Sequence, residues 1–267
     1  MLWLDQAKLL SDGKKSRIQC CKSDRSMIIS NSNSGYGAYC FRCGFNEFEP
    51  HGERSISHIL RGRAEIEFKR SRSIHLPFDA IPICVNTCSE ESQAWILKAG
   101  ISLNVAADQY GILYSPKMDR VILPVYDDNG GLHYMQARAL HGQEPKYINT
   151  SNPTENVLFW AEDWRKDDQV VITEDILSAI KVGPVNVACS ILGTNMTAER
   201  AYKITLEYDK ILLWFDNDEA GDRCRKTSRK QLELQGIEFI RDIRTEKDPK
   251  CYSHKEIQEL IDQCLNS

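Results

Sequence analysis

The sequence predicts an α/β fold: a parallel sheet covered by helices on both faces, preceded by a small cysteine-bearing β module. Three observations predict it. From residue 168 onward, apolar runs of strand length alternate with helical segments. The 267 residues are 42% hydrophobic and 27% charged, ordinary proportions for a globular chain with room for two modest domains. Four of the ten cysteines fall between positions 20 and 43, inside a hairpin-like stretch.

Residues 1–51 are short, polar and cysteine-bearing. Ser26–Ile29 and Tyr36–Tyr39 read as strands on either side of a Ser/Asn/Gly turn. Residues 52–76 carry Arg54, Arg61, Arg63, Lys69, Arg70 and Arg72 with little apolar periodicity, which makes them a basic linker. A third segment, 77–165, opens with a helix over Glu90 to Gly100. It continues with paired strands Arg120–Tyr126 and Leu132–Arg138 around the turn Asp127-Asp128-Asn129-Gly130-Gly131.

The last segment, 166–267, reads as strand Val170–Thr173, helix Asp175–Val182, strand Val185–Cys189 and helix Thr197–Tyr208, then strand Ile211–Phe215, helix Glu219–Gln235 and strand Ile237–Ile243. Helix Ser253–Leu265 closes it, with Ser253 and Glu256 as a capping box. Continuous apolar strands separated by helices belong to a sheet buried on both faces.

The formal charge of −4 argues against a nucleic-acid protein only while the chain is taken whole. Residues 1–73 hold 13 Lys/Arg against 8 Asp/Glu and the remainder 21 against 30, so +5 is joined to −9. That asymmetry fits a nucleic-acid arm attached to a part with surplus carboxylates.

In open parallel sheets, ligands gather at the carboxyl ends of the strands. There stand Glu174, then Asp216 and Asp218, then Asp248. Four acids on one edge repel one another unless a divalent cation such as Mg²⁺ or Mn²⁺ binds them. Alternate residues leaving a strand point the same way, so Asp216 and Asp218 can reach one ion. The competing reading is that such acids cap the helices that follow.

The four clustered cysteines, Cys20, Cys21, Cys40 and Cys43, have the character of a zinc ribbon, with Cys40-Phe41-Arg42-Cys43 as its CxxC knuckle. Adjacent Cys20 and Cys21 ligate one ion only across a tight turn, and His51 is the substitute if one of them faces away. Tyr36, Tyr39, Phe41 and Arg42 can either stack on bases or pack the ribbon's thin core. The other six cysteines are scattered and read as reduced, small apolar residues.

Thr173-Glu174, Phe215-Asp216-Asn217-Asp218-Glu219-Ala220-Gly221 and Lys247-Asp248 together resemble the TOPRIM module of primases, topoisomerases and some nucleases. The segment before it narrows the resemblance. Asp119–Asp127, Gln136-Ala137-Arg138 and Pro145–Ser151 are similar, in order, to the basic subdomain preceding TOPRIM in bacterial and phage DNA primases, closest to the primase half of phage primase-helicases. A zinc ribbon ahead of both is the order in that family.

The resemblance implies short RNA primers made on single-stranded DNA from ribonucleoside triphosphates. Glu174, Asp216 and Asp218 would be catalytic and, with Asp248, metal-holding. Arg120, Arg138, Lys146 and Lys247 would contact nucleotide or template, and structural Zn²⁺ on the ribbon would serve template recognition. It also implies a replicative helicase partner, fused or separate, since the chain ends where the helicase of phage relatives begins. One departure is visible: Phe159-Trp160-Ala161-Glu162 stands where bacterial primases often place a lysine.

A DNA-binding scaffold resembling zinc-containing recombination mediators and a TOPRIM nuclease stay open as alternatives. Gly13-Lys14-Lys15-Ser16 lacks the glycine and strand context of a phosphate loop. No apolar run approaches the ~20 residues of a membrane span, and the start lacks a secretory pattern, so the expected location is the cytoplasm of a bacterial host, with the protein phage-encoded.

Overall fold

The structure, a computed structural model, describes residues 3–21, 25–32, 35–40, 43–51, 74–127, 130–150, 156–161 and 168–266. Phe41, Arg42 and the expected linker up to residue 73 lie outside them. The chain divides into two compact units, Met1–Ser71 and Arg72–Ser267.

In the first unit, helix α1 (Trp3–Lys8) packs on an antiparallel sheet of β1 (Lys15–Ile18), β2 (Met27–Ser32), β3 (Gly35–Cys40) and β4 (Asn46–Pro50), in that order. The expected hairpin is β2 with β3, running from Met27 opposite Cys40 to Ser32 opposite Gly35. Its strands extend farther into the turn than the residue pattern indicates. Among the described residues, Ala7, Met27, Ile29, Ala38 and Cys40 form its buried apolar centre. At ~1.5–3 kcal/mol per large apolar side chain, so small a centre offsets little chain entropy.

The second unit contains two sheets. Strands β5 (Ile81–Pro82), β6 (Leu113–Ser115), β7 (Arg120–Tyr126), β8 (Leu132–Ala139) and β9 (Tyr147–Asn149) form an antiparallel meander, with α2 (Glu90–Lys98) between β5 and β6 in the chain. Ser89 caps α2, its hydroxyl accepting from Ser92 N at 3.2 Å. The other sheet holds β10 (Phe159–Ala161), β11 (Gln169–Thr173), β12 (Ala188–Ser190), β13 (Lys210–Leu213) and β14 (Phe239–Asp242), in the order β10-β12-β11-β13-β14.

Helices α3 (Ile176–Val182), α4 (Ala198–Thr205), α5 (Glu219–Leu234) and α6 (His254–Asn266) follow β11, β12, β13 and β14 in the chain. The pairs among β11, β12, β13 and β14 are parallel, whereas β10 runs antiparallel to β12. The sheet is therefore mixed, and the Phe159 segment is its edge strand. Three residues are too few for a periodicity to announce a strand.

Alternate residues face opposite cores, as a two-sided sheet requires. Val171, Leu212 and Ala188 join Trp214, helices α3 and α6, and Val121, Leu123 and Val125 of the meander. Val170, Ile172, Ile211, Leu213 and Cys189 pack instead with Ala201 and Ile204 of α4 and Cys224 and Leu232 of α5. Ser253 Oγ accepts from Glu256 N while Glu256 Oε2 accepts from Ser253 N, so the expected capping box opens α6. No helix among the described residues is long and apolar enough to cross a membrane.

A titratable triad links α2 to the meander. His141 Nδ1 lies 2.6 Å from Asp119 Oδ2 and its Nε2 2.9 Å from Glu91 Oε2. Those bonds, to Glu91 and then to Asp119, raise the His141 pKa above its ordinary value. His141 in turn lowers that of Glu91. Asp119 is pushed up by burial but ends lower, through bonds from Tyr114, His141 and Gln143.

A raised histidine stabilises the fold fully below its unfolded value of about 6.5, and that contribution is lost as pH climbs through the folded value. The lowered carboxylates contribute only above about pH 4. We expect His141→Asn to lower the melting temperature most near pH 5.5 and progressively less toward pH 9. Equal losses at both pH values, followed by circular dichroism, refute this assignment.

Candidate functional site

Cys20 and Cys21 follow β1, where the chain bends at Cys21, and Cys40 ends β3. Gly44 N donates to Cys40 O at 3.0 Å and Cys40 N to Phe45 O at 2.8 Å, a tight knuckle that brings Cys43 back over the strand end. Gly44 has φ +73°, a conformation glycine adopts without steric cost.

All four sulfurs lie within 4.8 Å of one another, with Cys20–Cys43 at 3.6 Å and Cys21–Cys40 at 3.8 Å. Tetrahedral zinc with bonds of about 2.3 Å places its sulfurs about 3.8 Å apart, whereas a disulfide needs about 2.05 Å. Burial, then the neighbouring Cys43 and Cys40, push the Cys20 thiol up to about 12, and Cys21 is raised by the same kind of crowding. A divalent cation relieves it, so the donor set fits Zn²⁺. His51 is engaged elsewhere: its Nε2 is 2.9 Å from Asn31 Oδ1 and its ring lies edge-on to Tyr36, so it is not the substitute ligand. Ser26 Oγ stands 3.4 Å from Cys40 Sγ and 3.8 Å from Cys21 Sγ, a hydroxyl that orients both.

In the second unit, Glu174 immediately follows β11 and Asp216 comes three residues after β13. Asp216 N donates to Glu174 Oε1 at 3.2 Å, joining the two strand ends. Gly221 explains the glycine of the Asp-Asn-Asp-Glu-Ala-Gly run, since a Cβ there would sit 2.0 Å from Asp216 O and 3.1 Å from Glu174 Oε1. Arg225, 4% exposed, donates from Nη2 to Phe215 O at 3.3 Å and from Nη1 to Asp222 at 2.7 Å, steadying the residue before Asp216. Trp214, fully buried, donates from Nε1 to Thr245 Oγ1, which donates to Lys247 O, both at 2.8 Å. That chain holds the Lys247–Asp248 loop beside the strand end.

Burial, then the charge on Asp216, push Glu174 up to about 7 against the opposing hydrogen bond from Asp216 N. Asp216 rises to about 6 through burial and Asp248, with Lys250 opposing. Like charge so crowded favours a cation with oxygen preference, and Mg²⁺ or Mn²⁺ suits these donors.

The strand argument for Asp216 and Asp218 needs correction. β13 ends at Leu213, and Asp218 is exposed and caps α5, its Oδ1 accepting from Gly221 N at 2.7 Å. Asp175 likewise caps α3, its Oδ1 accepting from Ser178 N at 3.1 Å. Among the described residues, only the cysteines bring three or more ligand atoms within 4.8 Å of one another, so the carboxylates influence each other without forming one tight set.

The four cations sit in different surroundings. Arg120 is 4% exposed and gives Nη1 to Ala137 O at 3.1 Å and Lys146 O at 3.5 Å, a backbone brace facing away from solvent. Arg138 lies over the rings of Tyr147 at 4.7 Å and Trp95 at 5.6 Å, its Nε buried without a hydrogen-bond partner. Lys146 and Lys247 are exposed. Burial raises the Tyr147 pKa, with Arg138 opposing.

Sequence reasoning missed Lys250. Its Nζ lies 2.9 Å from both Asp175 Oδ2 and Asp248 Oδ2. The signal was present in Asp248-Pro249-Lys250, where a proline opens a short helical turn.

Two outcomes follow. Gly221→Ala drives a Cβ into the Asp216 backbone and should cost about 1–3 kcal/mol in denaturant unfolding; an unchanged midpoint refutes the close approach. Stripping metal with a mercurial reagent and chelator should release about one zinc per chain and expose residues 1–51 to protease while the second unit stays resistant. Zinc-free protein with that segment equally resistant refutes the assignment.

Residues 172–253 match the Toprim-like family. The chain is 26% identical over 180 residues to the DNA primase of Buchnera aphidicola subsp. Acyrthosiphon pisum, covering 61% of this chain and 31% of that protein. It is 28% identical over 123 residues to the DNA primase of Thermotoga maritima, covering 42% and 22%. The chain thus spans less than a third of the length of these curated relatives. Among solved structures, the primase fragment of the bacteriophage T7 primase-helicase protein aligns with a TM-score of 0.52 at 17% identity, covering 93% of this chain and 98% of that one. The zinc-binding and RNA polymerase domains of Aquifex aeolicus primase align at 0.50 and 18%, covering 97% and 82%. At these identities the structural likeness is one of fold. The chain is thus similar in sequence to bacterial DNA primases, shares the fold of the phage primase fragment, and carries a region that matches the Toprim-like family.

Proposed function

We propose that this chain is a DNA primase: a nucleotidyltransferase that makes short RNA primers on single-stranded DNA from ribonucleoside triphosphates. The observation that carries the reading is the order along one chain of a four-cysteine cluster, a meander bearing Arg138, and a Toprim-like sheet with acids at its carboxyl edge. A scaffold and a nuclease are not favoured, since the curated relatives are primases.

Segment 1–51 serves as the template-reading ribbon and 52–76 as the linker. Segments 77–165 and 166–267 form the two halves of the catalytic core. Glu174, Asp216, Asp218 and Asp248 would hold the catalytic Mg²⁺ or Mn²⁺. The bound ion supplies Lewis-acid activation of the primer 3′-hydroxyl and charge relief for the departing pyrophosphate. Arg138, flattened between Trp95 and Tyr147, presents its remaining donors to phosphate, while exposed Lys146 and Lys247 supply further charge. Arg120 acts indirectly, bracing the strands that carry Arg138 and Lys146. A replicative helicase, fused or separate, is the expected partner, in the cytoplasm of a bacterial host and with a phage origin.

Incubation with single-stranded templates and labelled ribonucleotides in Mg²⁺ or Mn²⁺ should give short RNA products. Asp216→Asn should reduce their yield by at least about 10²-fold. No RNA on any template of a trinucleotide library, or undiminished synthesis by the variant, refutes the proposal.

A further inference from the structure

We infer that Cys84 and Cys88 form a redox-active dithiol: Cys84 is the thiolate that meets a hydroperoxide, and Cys88 resolves it into a disulfide across the turn that leads into α2. The inference is independent of the priming reaction proposed above.

Of the six cysteines outside the sulfur cluster, these two stand four residues apart, in Cys84-Val85-Asn86-Thr87-Cys88 between β5 and α2. The segment folds as a tight turn, with Thr87 N donating to Cys84 O at 3.1 Å. Val85 and Asn86 at its tip are exposed and both cysteines are half-buried, so a small oxidant can reach them. Cys88 Sγ donates to Cys84 O at 3.1 Å, which keeps that sulfur within roughly 6 Å of the Cys84 Cα. The turn holds its first and fourth Cα atoms within about 7 Å, so side-chain rotation can bring the two sulfurs to bonding distance. Cys88 immediately precedes Ser89, the cap of α2, so closure ties the start of that helix to the segment leaving β5.

The two thiols are not alike. Cys84 N donates to Thr87 Oγ1 at 2.9 Å, and that hydroxyl lies 3.3 Å from Cys84 Sγ and 2.8 Å from Pro82 O. Its single proton can swing from the carbonyl to sulfur when the thiol ionises. The Thr87 hydroxyl, then the Asn86 amide, lower the Cys84 pKa against burial. Burial, then the charge on Cys84, raise that of Cys88. One sulfur is thus prepared as the nucleophile and the other keeps its proton until it resolves the product.

The chemistry balances with a hydroperoxide as the oxidant. The Cys84 thiolate attacks one peroxide oxygen; an S–O bond forms as the O–O bond breaks, and the departing oxide takes up the proton that the thiol released. Cys84 is then a sulfenic acid. Cys88 loses its proton and attacks the Cys84 sulfur; the S–S bond forms as S–O breaks, and the hydroxide leaves as water with that proton. Two electrons pass from the dithiol to the peroxide, and an external dithiol returns them by exchange.

The test treats zinc-loaded protein with a slight excess of hydrogen peroxide, alkylates the remaining free thiols, and weighs the tryptic peptide from Ser73 to Lys98, which contains no other cysteine. In wild type that peptide should be two hydrogens lighter and resist alkylation until a dithiol reductant restores both thiols. Cys88→Ser should instead leave a sulfenic acid on Cys84 that a cyclic dione captures, and Cys84→Ser should leave Cys88 reduced. Thr87→Val should slow disulfide formation at least about threefold, with Thr87→Ser restoring it. Both thiols of wild type remaining open to alkylation after peroxide, or a dione adduct on Cys88 in place of Cys84, overturns the inference. The wild-type peptide decides even where a variant does not fold.

Discussion

Like charge crowded at the ends of two neighbouring parallel strands is the constraint around which the second unit is built. Glu174 and Asp216 are half-buried and linked through the Asp216 amide, which donates to the Glu174 carboxylate at 3.2 Å. The fold answers with several devices at once. Helix N-termini take Asp175 and Asp218, Lys250 holds Asp175 and Asp248, and Arg225 grips the carbonyl before Asp216. Gly221 lets α5 begin close enough for its first turn to share in this arrangement.

The first unit meets the opposite difficulty, too little to bury. Among the described residues its apolar centre holds five that are buried, one of them Cys40, so the sulfur cluster and the hydrophobic centre are partly the same object. A thiolate cluster closed by zinc would join the β1 end, the β3 end and the knuckle more firmly than apolar contact over so small an area can.

How much of this was legible in the sequence differs by kind of signal. The alternation from Val170 onward announced the parallel sheet because two-sided burial forces continuous apolar runs, and the capping box at Ser253 was readable because its two partners are three residues apart. The acids after the strands were readable for the same reason, since topology alone places strand ends together. What was hidden depended on long-range partners. Arg120 reads as a surface cation until Ala137 and Lys146 are seen to offer carbonyls, and the Arg138 clamp needs Trp95 and Tyr147 from distant segments. Asp218 points into a cap rather than along a strand because β13 stops at Leu213, a boundary that the apolar run through Phe215 conceals. The adjacent Cys20 and Cys21 join one cluster through a bend that no residue type there announces.

The meander and the mixed sheet share one apolar core, in which Val121, Leu123 and Val125 meet Val171, Leu212 and Trp214. Close-packed interiors resist smooth deformation. Arg138 and the Glu174–Asp216 edge are therefore carried by two sheets that pack into the same core.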